Sequence, residues 1–169
     1  SRHKIGLVTN ARYDIEQLLP WILLSLGLST KRLDPIEAYH LFSEFLSQES
    51  KRSRRVILII DEAQSLGADL LEELRLLSNM NDGRTLKLQI ILSGQPDLYT
   101  LLQRIDMTQF AQRIVVDYHL KPLSETDTAS CIRHRLQVAG GHPTLFTDQA
   151  CALVHRLSQG NPRLMNQVA

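Results

Sequence analysis

Val56-Ile57-Leu58-Ile59-Ile60 sets five consecutive aliphatic residues directly in front of two carboxylates, Asp61 and Glu62. The run is too short for a helix of its own and offers no polar position to water. It is therefore expected to be a central parallel strand, covered by helices on each side. In an open α/β sheet, ligands bind beyond the carboxyl ends of the strands, where the Asp-Glu pair would stand. A strand-end aspartate can hold Mg²⁺ through its water shell, and an adjacent glutamate can orient and deprotonate the water that attacks a γ-phosphate. The competing reading is a strand that ends in a solvated turn.

Other segments supply the partners such a strand needs. Ile5 to Thr9 is a short apolar run expected to form a strand. Asp14 is positioned to cap a helix with Ile15, Leu18, Leu19, Ile22, Leu23 and Leu26 on one face, closed by Gly27 and kinked by Pro20. Asp34, Pro35 and Glu37 form a capping box with proline at the first helical position, opening a helix that buries Ala38, Leu41, Phe42, Phe45 and Leu46. A basic loop spans Lys51 to Arg55, where plain solvated charge is the default expectation. Leu70, Leu71, Leu74 and Leu77 mark the next helix, Asn81-Asp82-Gly83 a turn, and Leu88 to Leu92 a second buried strand. A helix is expected between Asp97 and Gln112, and a further β-branched strand at Ile114 to Tyr118. This alternation predicts an α/β fold with a parallel sheet and helices on both faces.

Strand signals stop at Pro122. Ser124 and Thr147 are placed to cap helices closed by Gly140-Gly141 and by Gly160, and Asn161-Pro162 opens a third. The expected division is an α/β core over 1–121 and a small all-helical unit over 122–169.

Composition removes several function classes. With 169 residues and 43% hydrophobic content, the chain can bury a core without disulfides or metals. A formal net charge of +1 gives no global attraction to nucleic acid or anionic lipid. Cys131 and Cys151 lack metal-ligand spacing and suit a reducing compartment as small hydrophobes. His40, His119, His134, His142 and His155 share no metal-ligand spacing, while Trp21, Phe42, Phe45 and Phe110 are expected in the core. Leu18 to Leu28 is too short and too interrupted to span a bilayer, and the amino terminus has no secretory signal. The chain opens on Ser1 and is expected to be a piece of a longer one.

Further polar residues stand at strand boundaries. Ser93-Gly94-Gln95-Pro96-Asp97 follows the second buried strand, where a hydroxyl or amide could sense a γ-phosphate; turn chemistry explains the same residues. Arg113 precedes the expected strand Ile114 to Tyr118, and Arg163 sits in the first turn after Asn161-Pro162. An arginine's planar fork suits phosphate oxygens, although most surface arginines have no such task.

Taken in order, these features resemble the AAA+ ATPases. Ile60-Asp61-Glu62-Ala63-Gln64, Leu74-Arg75-Leu76-Leu77-Ser78-Asn79, Gly94-Gln95-Pro96-Asp97-Leu98, Gln112-Arg113-Ile114, Tyr118-His119-Leu120 and Gly160-Asn161-Pro162-Arg163-Leu164-Met165-Asn166 are similar to the general secretion pathway protein A family of ATPases. The resemblance implies a P-loop NTPase sheet followed by a helical lid, with ATP and Mg²⁺ as cofactors. It implies Asp61 for Mg²⁺, Glu62 as catalytic base, and Ser93 or Gln95 as sensor 1, the two remaining open. It implies Arg113 as a finger reaching a neighbour's nucleotide in a homo-oligomer, with Arg104 ranked second, and Arg163 as sensor 2. The implied partner is a membrane-associated secretion or pilus assembly factor, met in the cytoplasm at the inner face of the membrane.

One departure stands against these matches. The phosphate cradle GxxxxGK[ST] is absent, since no Gly-Lys pair occurs anywhere in the sequence. In the family the loop and its strand precede the segment matching Ile5 to Thr9, so the chain is expected to begin after them and to stop inside the third lid helix. Taken literally, it should bind nucleotide poorly. Alternative expectations are a transposition-type regulatory ATPase that binds nucleic acid through Lys51, Arg52, Arg54 and Arg55, and a catalytically inactive adaptor. A helicase is disfavoured, because the helical unit stands where a second α/β lobe would be.

Overall fold

The computed structural model describes residues 2–9, 16–31, 33–81 and 85–169. The chain packs as two units, Ser1–Val115 and Val116–Ala169.

The first unit is built on a parallel sheet of three strands in the order β1 (His3–Val8), β2 (Arg55–Ile60) and β3 (Leu88–Leu92). The aliphatic run Val56–Ile60 is the central strand, with Ile5 opposite Ile57 and Leu58 opposite Ile90. Val56, Leu58 and Ile60 are buried and join one core with Phe42, Leu46, Leu71, Leu74 and Leu77. Residues of the other parity fare differently. Ile57 and Ile59 are only partly buried, and Ile5 and Leu7 beside them are 56% and 54% exposed. The connections step from β1 to β2 to β3 in one direction, and successive crossovers of one hand that step one way put their helices on one face. The helices therefore cover the Val56-Leu58-Ile60 face more fully than the other.

The β1–β2 connection holds α1 (Leu19–Ser25) and α2 (Pro35–Lys51). The expected cap Asp14 and the residue Ile15 lie outside the described residues. Instead of kinking a longer helix, Pro20 occupies the first turn of α1, where its missing N–H costs nothing. Leu18, the residue before α1, has no capping side chain. Glu73 supplies one from another helix, its carboxylate accepting from Leu18 N at 3.0 Å and Leu19 N at 2.9 Å. Trp21, expected in the core, is 52% exposed, because the buried stripe of α1 runs through Leu19, Ile22 and Leu23 and leaves position 21 off that face. Gly6 lets α1 approach β1: a Cβ there would lie 2.6 Å from Ser25 Oγ. The capping box at Asp34 and Glu37 forms as the sequence indicates.

A 3₁₀ turn (Ala63–Ser65) and α3 (Gly67–Ser78) link β2 to β3. On α3, Arg75 grips Glu72 through Nε and Nη2 at 2.7–2.8 Å. That hydrogen bonding holds the Glu72 carboxyl below its ordinary range and the Arg75 guanidinium above its own, against the opposing effect of desolvation. Asn81 clasps the entry to β3, accepting from Lys87 N and Leu88 N and donating to Leu88 O at 2.8–3.0 Å.

The segment expected as one helix from Asp97 to Gln112 is broken into α4 (Pro96–Leu102), a 3₁₀ turn (Ile105–Met107) and α5 (Thr108–Ala111). The expected strand Ile114–Tyr118 is absent. These residues are exposed, Val115 and Val116 at 94% and 81%, and no described strand pairs with them. A β-branched run cannot hold strand form without a neighbour to take its backbone hydrogen bonds.

The second unit packs α6 (Glu125–Val138), α7 (Asp148–Ser158) and α8 (Pro162–Val168) around Ile132, Cys151, Val154 and Met165. Ser124, Thr147 and Asn161 cap the three helices with their side chains. Buried Thr128 meets His155 Nδ1 at 3.0 Å between α6 and α7, and Arg133–Asp148 and Arg135–Asn166 pairs brace the same bundle. Cys151 is buried and Cys131 partly so, both as free thiols. Among the described residues, no helix is long and apolar enough to cross a membrane.

Candidate functional site

The site grows from the carboxyl ends of the three strands. Asp61 N donates to Val8 O and Ser93 N donates to Ile60 O, each at 2.9 Å, so the strand ends are stitched together just past β2. Ala63 N donates to Ser93 O at 2.9 Å and ties the turn after β2 to the turn after β3. Asp61 Oδ1 accepts from Glu62 N at 3.0 Å. Glu62 itself adopts φ 54°, ψ 39°, a left-handed conformation that costs a non-glycine residue about 1 kcal/mol or more. The reversal bends the chain out of β2 into the 3₁₀ turn.

Two amides hold the Glu62 carboxylate. Gln64 Nε2 donates to Glu62 Oε2 at 2.6 Å, and Gln95 Nε2 donates to the same oxygen at 3.3 Å. Gln64 also faces the other turn, its Oε1 accepting from Gln95 N at 3.0 Å. Gly94 makes this closeness achievable, since a Cβ there would lie 2.6 Å from Gln64 Oε1. Each link is a charge-assisted or backbone hydrogen bond in a partly covered site, and together they fix the direction of the carboxylate.

Of the residues singled out from sequence, the fold brings together Asp61, Glu62, Ser93 and Gln95. Gln95 reaches Glu62 with its side chain, whereas Ser93 bonds the neighbouring turn through its backbone. Arg113 is exposed in the turn after α5, its N donating to Phe110 O at 2.9 Å. It does not precede a strand, because Ile114–Tyr118 forms none. Arg104 is taken up by Asp106, with Nη2 2.7 Å from the carboxylate. Arg163 lies in the first turn of α8 in the second unit, where its N donates to the Asn161 side chain at 2.9 Å. Among the described residues, no group of three or more His, Cys, Asp or Glu converges as a metal cage, so a cation here would rely on Asp61 and water.

Gln64 and Gly94 were not assigned roles from sequence. Gln64 lies two residues after Glu62, a spacing that sets side chains on different faces of a helix and about 7 Å apart on one face of a strand, too far for a hydrogen bond. The left-handed turn at Glu62 removes that objection.

Comparison with known proteins matches residues 2–102 to the family described as AAA domain. General secretion pathway protein A of Aeromonas hydrophila is 42% identical over 130 residues, covering 77% of this chain and 24% of that protein. The ORC2 protein of Aeropyrum pernix in its ADPNP–ADP complexes aligns with a TM-score of 0.61 at 13% identity, over 98% of this chain and 52% of the other. Cdc6p of Pyrobaculum aerophilum aligns with a TM-score of 0.69 at 15% identity, over 93% and 41%. These structural likenesses concern the fold, and the chain spans about a quarter of the length of its secretion relative.

Proposed function

Because the chain belongs to the AAA domain family of P-loop ATPases, we propose that it is part of an ATPase whose hydrolytic centre is built on Asp61 and Glu62. The observation that carries this reading is the Glu62 carboxylate, placed beyond the end of the central strand and held by Gln64 and Gln95. Asp61 would hold Mg²⁺ through water, one carboxylate oxygen being occupied by the Glu62 N–H. A bound nucleotide with its magnesium supplies an electrophilic γ-phosphorus and charge neutralisation.

The chain's own residues supply the hydrolytic side of such a site, the phosphate cradle not being among them. Glu62 accepts a proton from a water it orients, and its two amide donors fix the direction of that acceptance. Gln95 is favoured over Ser93 as the residue that senses the state of the site, because its amide reaches the catalytic carboxylate. Arg113, exposed on α5's carboxyl side, is available to a neighbouring copy in a homo-oligomer, and Arg163 would act from the helical unit. The identity to general secretion pathway protein A supports a role in assembling a secretion or pilus system, working in the cytoplasm with a membrane-associated partner.

The test is Glu62→Gln in the native protein that contains this chain. Retained ATP binding with lost turnover is expected; unchanged turnover would remove Glu62 from the reaction.

A further inference from the structure

At the other end of the sheet, where the strands begin, the chain gathers positive charge. The register sets His3 level with Arg55, and Arg55 N donates to Arg2 O at 3.3 Å, so Arg2 and Arg55 stand side by side at the starts of β1 and β2. The connection from α2 enters β2 at this same rim and brings Lys51, Arg52 and Arg54 with it. Arg2, Lys51, Arg52, Arg54 and Arg55 are all exposed. In a chain with a formal net charge of +1, five cations on one rim are a polarised arrangement. Six residues of β2 separate it from Asp61, a distance of about 20 Å at the usual rise per residue.

The loop is built rather than merely solvated. Glu49, 3% exposed, lies beneath it with Oε1 2.9 Å from Arg52 Nη1 and Oε2 3.6 Å from Arg54 Nη1. Among the described residues, Oε2 accepts no hydrogen bond. Burying a carboxylate costs several kcal/mol, an expense that a loop of freely hydrated arginines has no need of. The turn is further fixed by Ser53 at φ 56° and by Arg54 N donating to Glu49 O at 2.9 Å. Two guanidinium groups are thereby oriented in advance, which lowers the entropy lost when they meet a ligand.

We infer that this rim is a docking surface for the phosphate backbone of a nucleic-acid duplex. Four of its five cations are arginines, whose planar forks fit phosphate oxygens. The segment Lys51-Arg52-Ser53-Arg54-Arg55 has no apolar side chain to enter an acyl layer, as a membrane-binding surface would. Arg2 and Arg55 start two neighbouring strands about 5 Å apart, and the other three cations enter with the second strand, so the group lies alongside successive phosphates spaced about 3.4 Å along one nucleic-acid strand. The contacts would be to backbone and carry no base sequence preference. The rim stands apart from the Asp61–Glu62 end, so docking does not require ATP turnover.

The experiment is fluorescence anisotropy of a labelled 20-base-pair duplex titrated with the 169-residue chain at several salt concentrations. Five cations less one for Glu49 give about four neutralised phosphates, hence a log–log salt slope of about −3.6 and an affinity loss of about 150-fold from 50 to 200 mM. Arg54→Glu with Arg55→Glu should abolish binding. Lys51→Glu with Arg55→Glu, which leaves both Glu49 pairs intact, should do the same with an unchanged melting temperature. Arg156→Glu, an exposed charge of the helical unit, should leave binding as it was. No duplex binding at 50 mM salt, binding that survives both rim variants, or stronger capture by phosphatidylserine vesicles than by duplex would each overturn the inference.

Discussion

Gln64 bonds both partners at once: its Nε2 donates to Glu62 Oε2 at 2.6 Å while its Oε1 accepts from Gln95 N at 3.0 Å. One side chain therefore couples the turn after β2 to the turn after β3, and a displacement of Gln95 must be felt at the Glu62 carboxylate. Gln64 is a positioning residue in this arrangement. If Glu62 is the base of the proposed ATPase, Gln64→Ala in the native protein that contains this chain should lower kcat by about 10-fold or more while leaving KM for ATP nearly unchanged, because orientation of the base matters in the chemical step. Steady-state kinetics check the split. A rise in KM alone would assign Gln64 to binding.

Gly94 is where the second turn yields to Gln64. Gly94→Ala should cost about 0.5–1.5 kcal/mol, the worth of a hydrogen bond given up when the flexible Gln64 amide swings away from a new Cβ that would otherwise meet its Oε1 at 2.6 Å. Urea unfolding of the wild type, both single variants and the Gly94→Ala/Gln64→Ala double variant forms a cycle. The double variant should lose less than the sum of the singles, and simple additivity would show that the two positions do not communicate.

Glu73 on α3 acts as the missing cap of α1. Glu73→Ala should destabilise the first unit by about 1–2 kcal/mol, the range for losing a capping acceptor with its charge near a helix start. Because the loss is local, hydrogen exchange should speed up first at α1 amides, from Leu18 onward. A uniform acceleration across the sheet would instead indicate a general loss of packing.

The Glu72–Arg75 pair sets a pH dependence of known sign. Arg75's hydrogen bonds lower the Glu72 carboxyl in the folded chain. Its contribution is complete above the unfolded carboxyl value, about 4.3, and fades as the pH falls through the lowered folded value. Glu72→Gln should flatten this acid limb slightly and change little at pH 7, since the pair is largely solvent-screened. Thermal melts between pH 3 and 7 would reveal it, and an equally steep acid limb in the variant would assign that slope to other carboxylates.

Local chemistry carried much of the architecture into the sequence. The aliphatic run before Asp61, the capping box at Asp34 and Glu37, and Asn161-Pro162 each specify their elements through neighbours a few residues away. Binding of the site's two carboxylates to the end of a central strand was legible for the same reason, because apolar runs and the residues that stop them are adjacent in the chain.

Tertiary structure decided everything that depends on partners far apart. Ile114–Tyr118 has a strand's composition but no strand beside it, so its backbone stays unladdered and its side chains stay in water. Cover for Ile57 and Ile59 depends on the direction of the crossovers, which residue pattern does not encode. Glu73 caps a helix 54 residues earlier, and Gln64 meets Gln95 across 31 residues. Such pairings come from how elements pack, and a linear pattern of polarity holds no record of them. The sequence by itself thus determined most of the elements and the place of the two carboxylates, while folding alone determined which amides hold them, which arginines share a rim and which β-branched run finds no partner.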